Sequence, residues 1–485
     1  MPLTRRKFLR QSGLVTASTL LAACSPAQEW LVPRRTLDDW PTANDTMLHA
    51  LNRMTFGPTA DERAYANEIG LHEWIEEQLA PESINDLRTT LRLQRFDILA
   101  MDTSLIFDVR EEPIRREFQQ IALVRAIYSR RQLYEVMVDF WSDHFNISTL
   151  KMPCAWLKPI DDREVIRPHA LGNFRDLLWA SMQSPAMLLY LDNQENFAGN
   201  PNENYARELM ELHTLGIDGG YTQKDVQEVA RCLTGWSVDD VLCKGQFQFK
   251  EDQHDDTAKT VLGQHIPAGN GQRDGELLCD MLVEQPATAR FIATKLVRRF
   301  VADDPPEFLV AAAAATFTQT RGDIKDMLRT ILHSEEFAAA APKFKRPLHF
   351  VAGMLRQLNA DTNASPDLLE AMALMGQPLF QWPTPDGYPD YTDAWRDTLM
   401  PRWRFALALT TGNIEGTAID LEALMRASGT TTTLEALDQF ATLLGFSFSQ
   451  KHKTALVEQF GAELTTERLL IILATLLASP YYQWR

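Results

Sequence analysis

From Thr46 to Ala478, apolar residues recur at spacings of three and four. The pattern runs through 117–145, 173–190, 204–215, 223–233, 286–300, 323–333, 402–411 and 466–478. That period matches one face of an α-helix, whereas a strand needs a period of two. The pattern predicts an all-α chain built as a large multi-helix domain. Helix boundaries carry chemical marks. Thr222-Gln223-Lys224-Asp225 has the form of a capping box, and Gly235 follows Leu233 as a stop. Ser184-Pro185, Ser334-Glu335 and Ser479-Pro480 each place a capping serine before a proline or an acid. One short strand signal interrupts the helices. Gln246-Phe247-Gln248-Phe249 alternates, and Thr260-Val261-Leu262 is the expected partner in a short β-hairpin excursion.

The first 23 residues read as an export label. Thr4-Arg5-Arg6-Lys7-Phe8-Leu9-Arg10 fits a twin-arginine signal, and the apolar run Gly13 to Ala23 is too short to span a bilayer. Leu21-Ala22-Ala23-Cys24 then has the form of a lipobox, with Cys24 as the lipidation site. Residues 24–45, with Pro26, Pro33 and Pro41, read as a tether, and 46–485 as the helical domain, with a sub-boundary near 340. The expected location is the periplasm or cell envelope. The chain would be held to a membrane surface through lipid on Cys24. Twin-arginine export carries folded protein, so the fold must form in a reducing compartment without disulfides. Cys154, Cys232, Cys243 and Cys279 show no zinc-site spacing; one disulfide formed after export stays open.

The formal charge is −17, and the leader carries only basic residues, so the body is more acidic still. Such a body repels phosphate backbones, which argues against nucleic acid as a partner. Two loops stand apart. Residues 264–276 are rich in Gly and Asn. Residues 376–395, GQPLFQWPTPDGYPDYTDAW, hold four prolines and five aromatics, and no regular helix accommodates them. Phe174-Arg175-Asp176-Leu177-Leu178 and Ile324-Lys325-Asp326-Met327-Leu328 echo each other, either as duplicated units or by coincidence.

Several segments resemble a bacterial family known as domain of unknown function 1800. They are His49-Ala50-Leu51-Asn52-Arg53-Met54-Thr55-Phe56-Gly57-Pro58, Phe140-Trp141-Ser142-Asp143-His144-Phe145, and the run from Asn202 to Gly216. Leu233-Thr234-Gly235-Trp236, His254-Asp255 with Lys259, Lys343-Phe344-Lys345-Arg346-Pro347, and Pro385-Asp386-Gly387 follow in order. At Ser142-Asp143 the family often has His-Asn, which thins any histidine cluster there. The resemblance implies a mostly helical, exported envelope protein of no settled activity. It also implies a partner from another exported family of unknown function, number 1501.

Four constellations carry chemistry. On the helix at 203–215, a turn of 100° per residue puts Tyr205, Ala206, Leu209, Met210, Leu212 and His213 on one arc. Glu203, Asn204, Arg207, Glu208, Glu211 and Thr214 fall on the other. The polar arc is either a solvated face with ordinary ion pairs or a carboxylate cluster lining a cleft. In the second case Glu208 and Glu211 are the catalytic candidates, with Arg207 and Asn204 beside them on substrate. His144 and His213 lie on apolar arcs, as core residues or as ligands of a divalent metal. His254, with Asp255, Asp256 and Lys259, is either a solvated loop or a general base with its partners. Trp382 and Asp386 in the long loop suit a sugar's apolar face and hydroxyls, or clamp the loop onto its own domain. No G-x-S-x-G, Walker A, G-x-G-x-x-G or H-E-x-x-H motif occurs. Two functions remain. One is a hydrolase or transferase on an envelope polymer or glycan, with a Glu/His site that works with or without a divalent metal. The other is a non-catalytic scaffold for an exported partner.

Overall fold

A computed structural model describes residues 45–239, 245–421, 423 and 430–485. The export signal at 1–23, Cys24, nearly all of the tether and Cys243 lie outside the described residues. Helices dominate, as the periodicity predicts. Those that build the site are α1 (Glu111–Tyr128), α2 (Gln132–His144), α3 (Phe174–Met182), α4 (Glu203–Glu208) and α5 (Gln223–Cys232). They are joined by α6 (Arg273–Val283), α7 (Pro286–Phe300), α8 (Ile324–Leu332), α9 (Pro347–Gln357) and α10 (Thr466–Ala478). The single apolar stretch 117–145 is split into α1 and α2 at Ser129–Arg131. There the Ser129 and Gln132 side chains bond neighbouring groups instead of continuing the helix.

The capping box at Thr222 forms as its sequence requires, with the Thr222 hydroxyl accepting from the Asp225 N–H and the Asp225 carboxylate accepting from the Thr222 N–H. Gly235 follows α5 at φ 77°, where a Cβ would sit 2.5 Å from the Lys250 carbonyl oxygen. Ser334 caps the helix at Glu335. Ser184 does not cap the helix after it; its hydroxyl donates to the Asp161 carboxylate at 2.6 Å instead.

Among the described residues the β content exceeds the single expected excursion by two ribbons. Gln246–Phe249 (β2) pairs with Trp236–Asp239 (β1), with Trp236 opposite Phe249. Lys259–Val261 (β3) pairs with Gln264–Ile266 (β4), not with β2. In both ribbons the partner strand lies nearer in sequence than in the pairing of β2 with β3 that the sequence suggested, so the closure costs less loop entropy. A third pair, Asp361–Thr362 with Thr417–Ala418, is only two residues long. The Gly-rich stretch 264–276 is thus part strand and part helix, since α6 begins at Arg273.

One apolar core runs from Met47 to Tyr482 and includes Phe337 and Leu348 on either side of position 340. The echoed segments meet inside it. The N-terminal caps of α3 and α8, Asn173 and Asp323, form an antiparallel bridge. Phe174 N–H donates to Gly322 C=O at 2.8 Å, and Ile324 N–H donates to Gly172 C=O at 3.0 Å. Cys154, Cys232 and Cys279 are free and buried, and burial pushes all three thiols up, Cys154 and Cys279 to about 12.

Candidate functional site

The last turn of α2 carries Asp139, Asp143 and His144. The i,i+4 spacing puts both aspartates on one face of the helix. The last turns of α7 supply Lys295, Arg298 and Arg299. Arg346 precedes α9 directly, where Pro347 opens the helix at its first position. These three helix ends meet beneath loop 376–395.

A network of buried charges ties them together. Arg346 donates to Asp143 at 2.5 Å and lies 3.6 Å from Asp139. Arg299, fully buried, donates to Asp139 and lies 3.5 Å from Asp390. Lys343 reaches Asp303 at 3.0 Å and Asp390 at 3.8 Å. Burial pushes the Asp143 carboxyl up to about 6; Arg346 opposes that rise and Asp139 adds to it. Asp390 shows the opposite balance: its burial is outweighed by Lys343, Arg299 and Arg346, which hold it well below the usual carboxylate range.

The loop itself is clamped by its own chemistry. Tyr388 donates to the Pro378 carbonyl, and the Trp395 N–H donates to the Pro389 carbonyl at 3.0 Å. Phe344, Tyr388 and Trp395 form a small apolar cluster with Trp382 and Trp484 against it. Gly387, at φ 74°, lies against the backbone of α2. A Cβ there would stand 2.0 Å from the Asp143 carbonyl oxygen, so no other residue fits without moving the loop.

Between loop and helices lies a cleft of about 450 Å³. Asp143, His144, Lys295, Arg298 and Arg346 line its helical side, and Trp382, Asp386, Tyr388, Tyr391 and Trp395 line its loop side. Lys295 donates to His144 Nδ1 at 2.9 Å, and His144 Nε2–H donates to the His213 carbonyl at 3.1 Å. That chain fixes His144 as the neutral Nε2–H tautomer. Its pKa falls well below the usual value through burial and the charge of Lys295. Burial also lowers the Lys295 ammonium to about 8, against the pull of Asp143. His213 is lowered to about 3 by burial and Lys295, and neither ring nitrogen has a hydrogen-bond partner among the described residues.

The residues predicted from sequence are brought together only in part. His144, Trp382 and Asp386 line the cleft. Asp386 accepts from the Trp382 N–H at 2.9 Å and from the Thr384 hydroxyl at 2.5 Å. Glu208 stands at its margin. Its pKa is raised by burial, then by Glu211, and Asp386 adds to the rise. Glu211 is outside the lining, and its nearest partner is the Tyr221 hydroxyl at 3.5 Å.

The helical wheel fails here for a physical reason. At Leu209 the helix widens into a π-turn, Leu209–Thr214, which shifts every later side chain. Thr214 is therefore buried, donating to the Leu209 carbonyl at 2.7 Å, and Leu212 is half exposed. Arg207 does not reach Glu211. It pairs with Glu203 at 3.1 Å and Gln223 at 3.0 Å. Asn204 donates to the Leu191 carbonyl at 3.1 Å.

The metal expectation for His144 and His213 meets a specific obstacle, since both His144 nitrogens are already engaged. Among the described residues no three His, Cys, Asp or Glu side chains gather as a metal-binding group.

His254 belongs to a different cluster; its side chain and that of Lys259 are buried, while Asp256, Thr257 and Ala258 between them are exposed. Its Nδ1 faces the Thr234 carbonyl at 2.8 Å and its Nε2 faces Asp274 at 3.3 Å. Lys259 completes the group, 2.5 Å from Asp274. Sequence reasoning missed Asp143, Lys295, Arg298 and Arg346. The i,i+4 pair Asp139/Asp143, beside the basic run Lys343–Arg346, was the available signal.

A family model described as "Protein of unknown function (DUF1800)" matches residues 49–484, nearly the whole chain. No curated protein and no solved structure matches.

Proposed function

We propose that this chain, which belongs to the DUF1800 family, is an exported, lipid-anchored envelope protein that acts on an envelope polymer or glycan in the cleft beneath loop 376–395. The observation that carries the reading is the Asp143 carboxyl, raised to about 6 within a cleft lined by five aromatic side chains, Phe140, Trp382, Tyr388, Tyr391 and Trp395. Aromatic faces suit the apolar faces of sugar rings. A carboxyl with a pKa near 6 keeps part of its proton toward neutral pH and can give it to a leaving oxygen. Asp386 on the opposite wall supplies a second carboxylate, as glycosyl hydrolysis and transfer require. Asp143 is the proton donor in this scheme, Asp386 the partner carboxylate, and Trp382 the platform. His144 and Lys295 form the polar floor.

The export signal and the lipobox at Cys24 support the location. Cys24→Ala should move the protein from the membrane fraction to the soluble fraction. For the activity, the purified full-length chain is incubated with soluble envelope glycan fragments and new reducing ends are counted. Asp143→Asn should lower the rate by about 100-fold or more. An unchanged rate, or no turnover and no binding by either form, would overturn the reading.

A second reading is a helical scaffold for an exported partner such as a family 1501 protein. It is favoured by the exposed apolar side chains Leu374, Leu399 and Met400, adjacent in sequence to cleft residues Met375 and Thr398. Co-purification of such a partner, abolished by Met400→Glu with glycan turnover absent, would select it.

A further inference from the structure

We infer that the cleft holds an anionic group, a carboxylate or phosphate carried on a polyhydroxylated ligand, between Lys295 and Arg298. The inference rests on the glycan reading above and narrows its substrate class. Its ground is a contrast in pairing. Of the three cationic side chains that line the cleft, Arg346 has a carboxylate partner, Asp143. Lys295 and Arg298 have none within ion-pair distance among the described residues. Among the described residues the one hydrogen bond of the Lys295 ammonium goes to the neutral His144 ring, which leaves the other two of its three N–H groups uncommitted there. Arg298 donates through Nε to the Asp303 carbonyl at 3.2 Å, and its two terminal nitrogens make no hydrogen bond among the described residues.

Both residues line the same cavity, one turn apart on α7. A half-buried ammonium with no carboxylate in ion-pair contact keeps donors free at a cavity wall, where an anionic ligand can take them. An ammonium and a guanidinium side by side match an oxyanion with several acceptor oxygens. The nearby carboxylates do not occupy that role. Asp143 and Asp390 are held by arginines and Lys343. Asp386 is turned to Trp382 and Thr384, and forms no ion pair. The ligand therefore places its charged group at Lys295 and Arg298, and a hydroxyl toward Asp386.

The test uses the full-length chain and three probes: trigalacturonic acid, its neutral methyl ester, and inorganic phosphate. Calorimetry should show the acid binding at least about tenfold more tightly than the ester, with the preference removed by Lys295→Met and by Arg298→Gln. Circular dichroism confirms that each variant is folded. Phosphate should protect Lys295 from amine acylation, as read by mass spectrometry, and acetate in its place ranks carboxylate against phosphate. Equal binding of acid and ester overturns the anion site and leaves the glycan reading standing. Protection by phosphate with no binding of either sugar overturns the glycan reading and keeps the anion site. Loss of all three signals overturns both.

Discussion

Two clusters in this molecule are built from the same residue types. One is His254 with Lys259 and Asp274; the other is His144 with Lys295 and Asp143. In the first, every valence is filled. Lys259 donates to Asp274, to the Asp255 carbonyl and to the Thr257 carbonyl, and the three side chains are at most 1% exposed. Asn270 adds a further bond, and these donors hold Asp274 below the usual carboxylate range against its burial. In the second, Lys295 hydrogen-bonds a neutral ring, makes no ion pair among the described residues, and faces a cavity. The same triplet of residues is a staple for the β-ribbons in one place and an open site in the other. What separates them is unspent hydrogen-bonding capacity beside empty volume, which composition does not record.

The largest effect should come from breaking the filled cluster. Lys259→Met leaves Asp274 charged and buried, and should cost about 3–5 kcal/mol in urea unfolding. Lys295→Met at the open cluster removes an unpaired ammonium and should change stability by less than about 1 kcal/mol, in either direction. Equal losses at both positions would erase the distinction. Gly387→Ala comes next. The new methyl overlaps the Asp143 carbonyl, so the loop must lift from α2, at a cost of about 1–3 kcal/mol in thermal unfolding. The same variant should weaken ligand binding, because Asp386 and Tyr388 move with the loop.

A pH titration sharpens the contrast without any substitution. Lys295 has a folded-state pKa of about 8, against 10.5 for an ordinary lysine. Between those values the unfolded chain binds the extra proton, so this group's contribution makes stability rise with pH over that window. Amine acylation of Lys295 should therefore be half-maximal near pH 8. Affinity for the anionic probe should fall above pH 8 as the ammonium is lost. A midpoint near 10.5 would place Lys295 in bulk solvent.

The helical architecture was legible because burial on one face imposes its period on the chain. Caps such as Thr222 and Ser334 were legible because they are local. The pairing of β2 with β1, and of β3 with β4, was not. Short ribbons choose partners by loop closure and by what packs on them, and Trp236 does not announce itself as a strand residue. The cleft was half legible. His144, Trp382 and Asp386 lie in segments that stand out by themselves. Asp143, Lys295, Arg298 and Arg346 come from three helix ends separated by about 150 and 50 residues, and only the packing brings them together. The Glu208/Glu211 face was misjudged at one point, the π-turn, since an inserted residue in the helical register leaves no mark in residue spacing.

The smallest effect is expected at that misjudged face, and it is a sensitive check for the same reason. Arg207 pairs with Glu203, with side chains 40% and 32% exposed, and reaches Gln223 across a solvated surface. An exposed i,i+4 pair of this kind is worth well under about 1 kcal/mol, because water screens it and two long side chains must be ordered to make it. Arg207→Ala should therefore leave the unfolding midpoint within error and glycan affinity unchanged. The carboxylate-cluster reading demands the opposite: without Arg207, the Glu208 and Glu211 charges would repel and binding at that face would collapse. A loss of binding in Arg207→Ala, with binding retained in Lys295→Met, would move the site from the cleft to the α4 face. Retained binding in the first and loss in the second fixes it at the helix ends beneath loop 376–395.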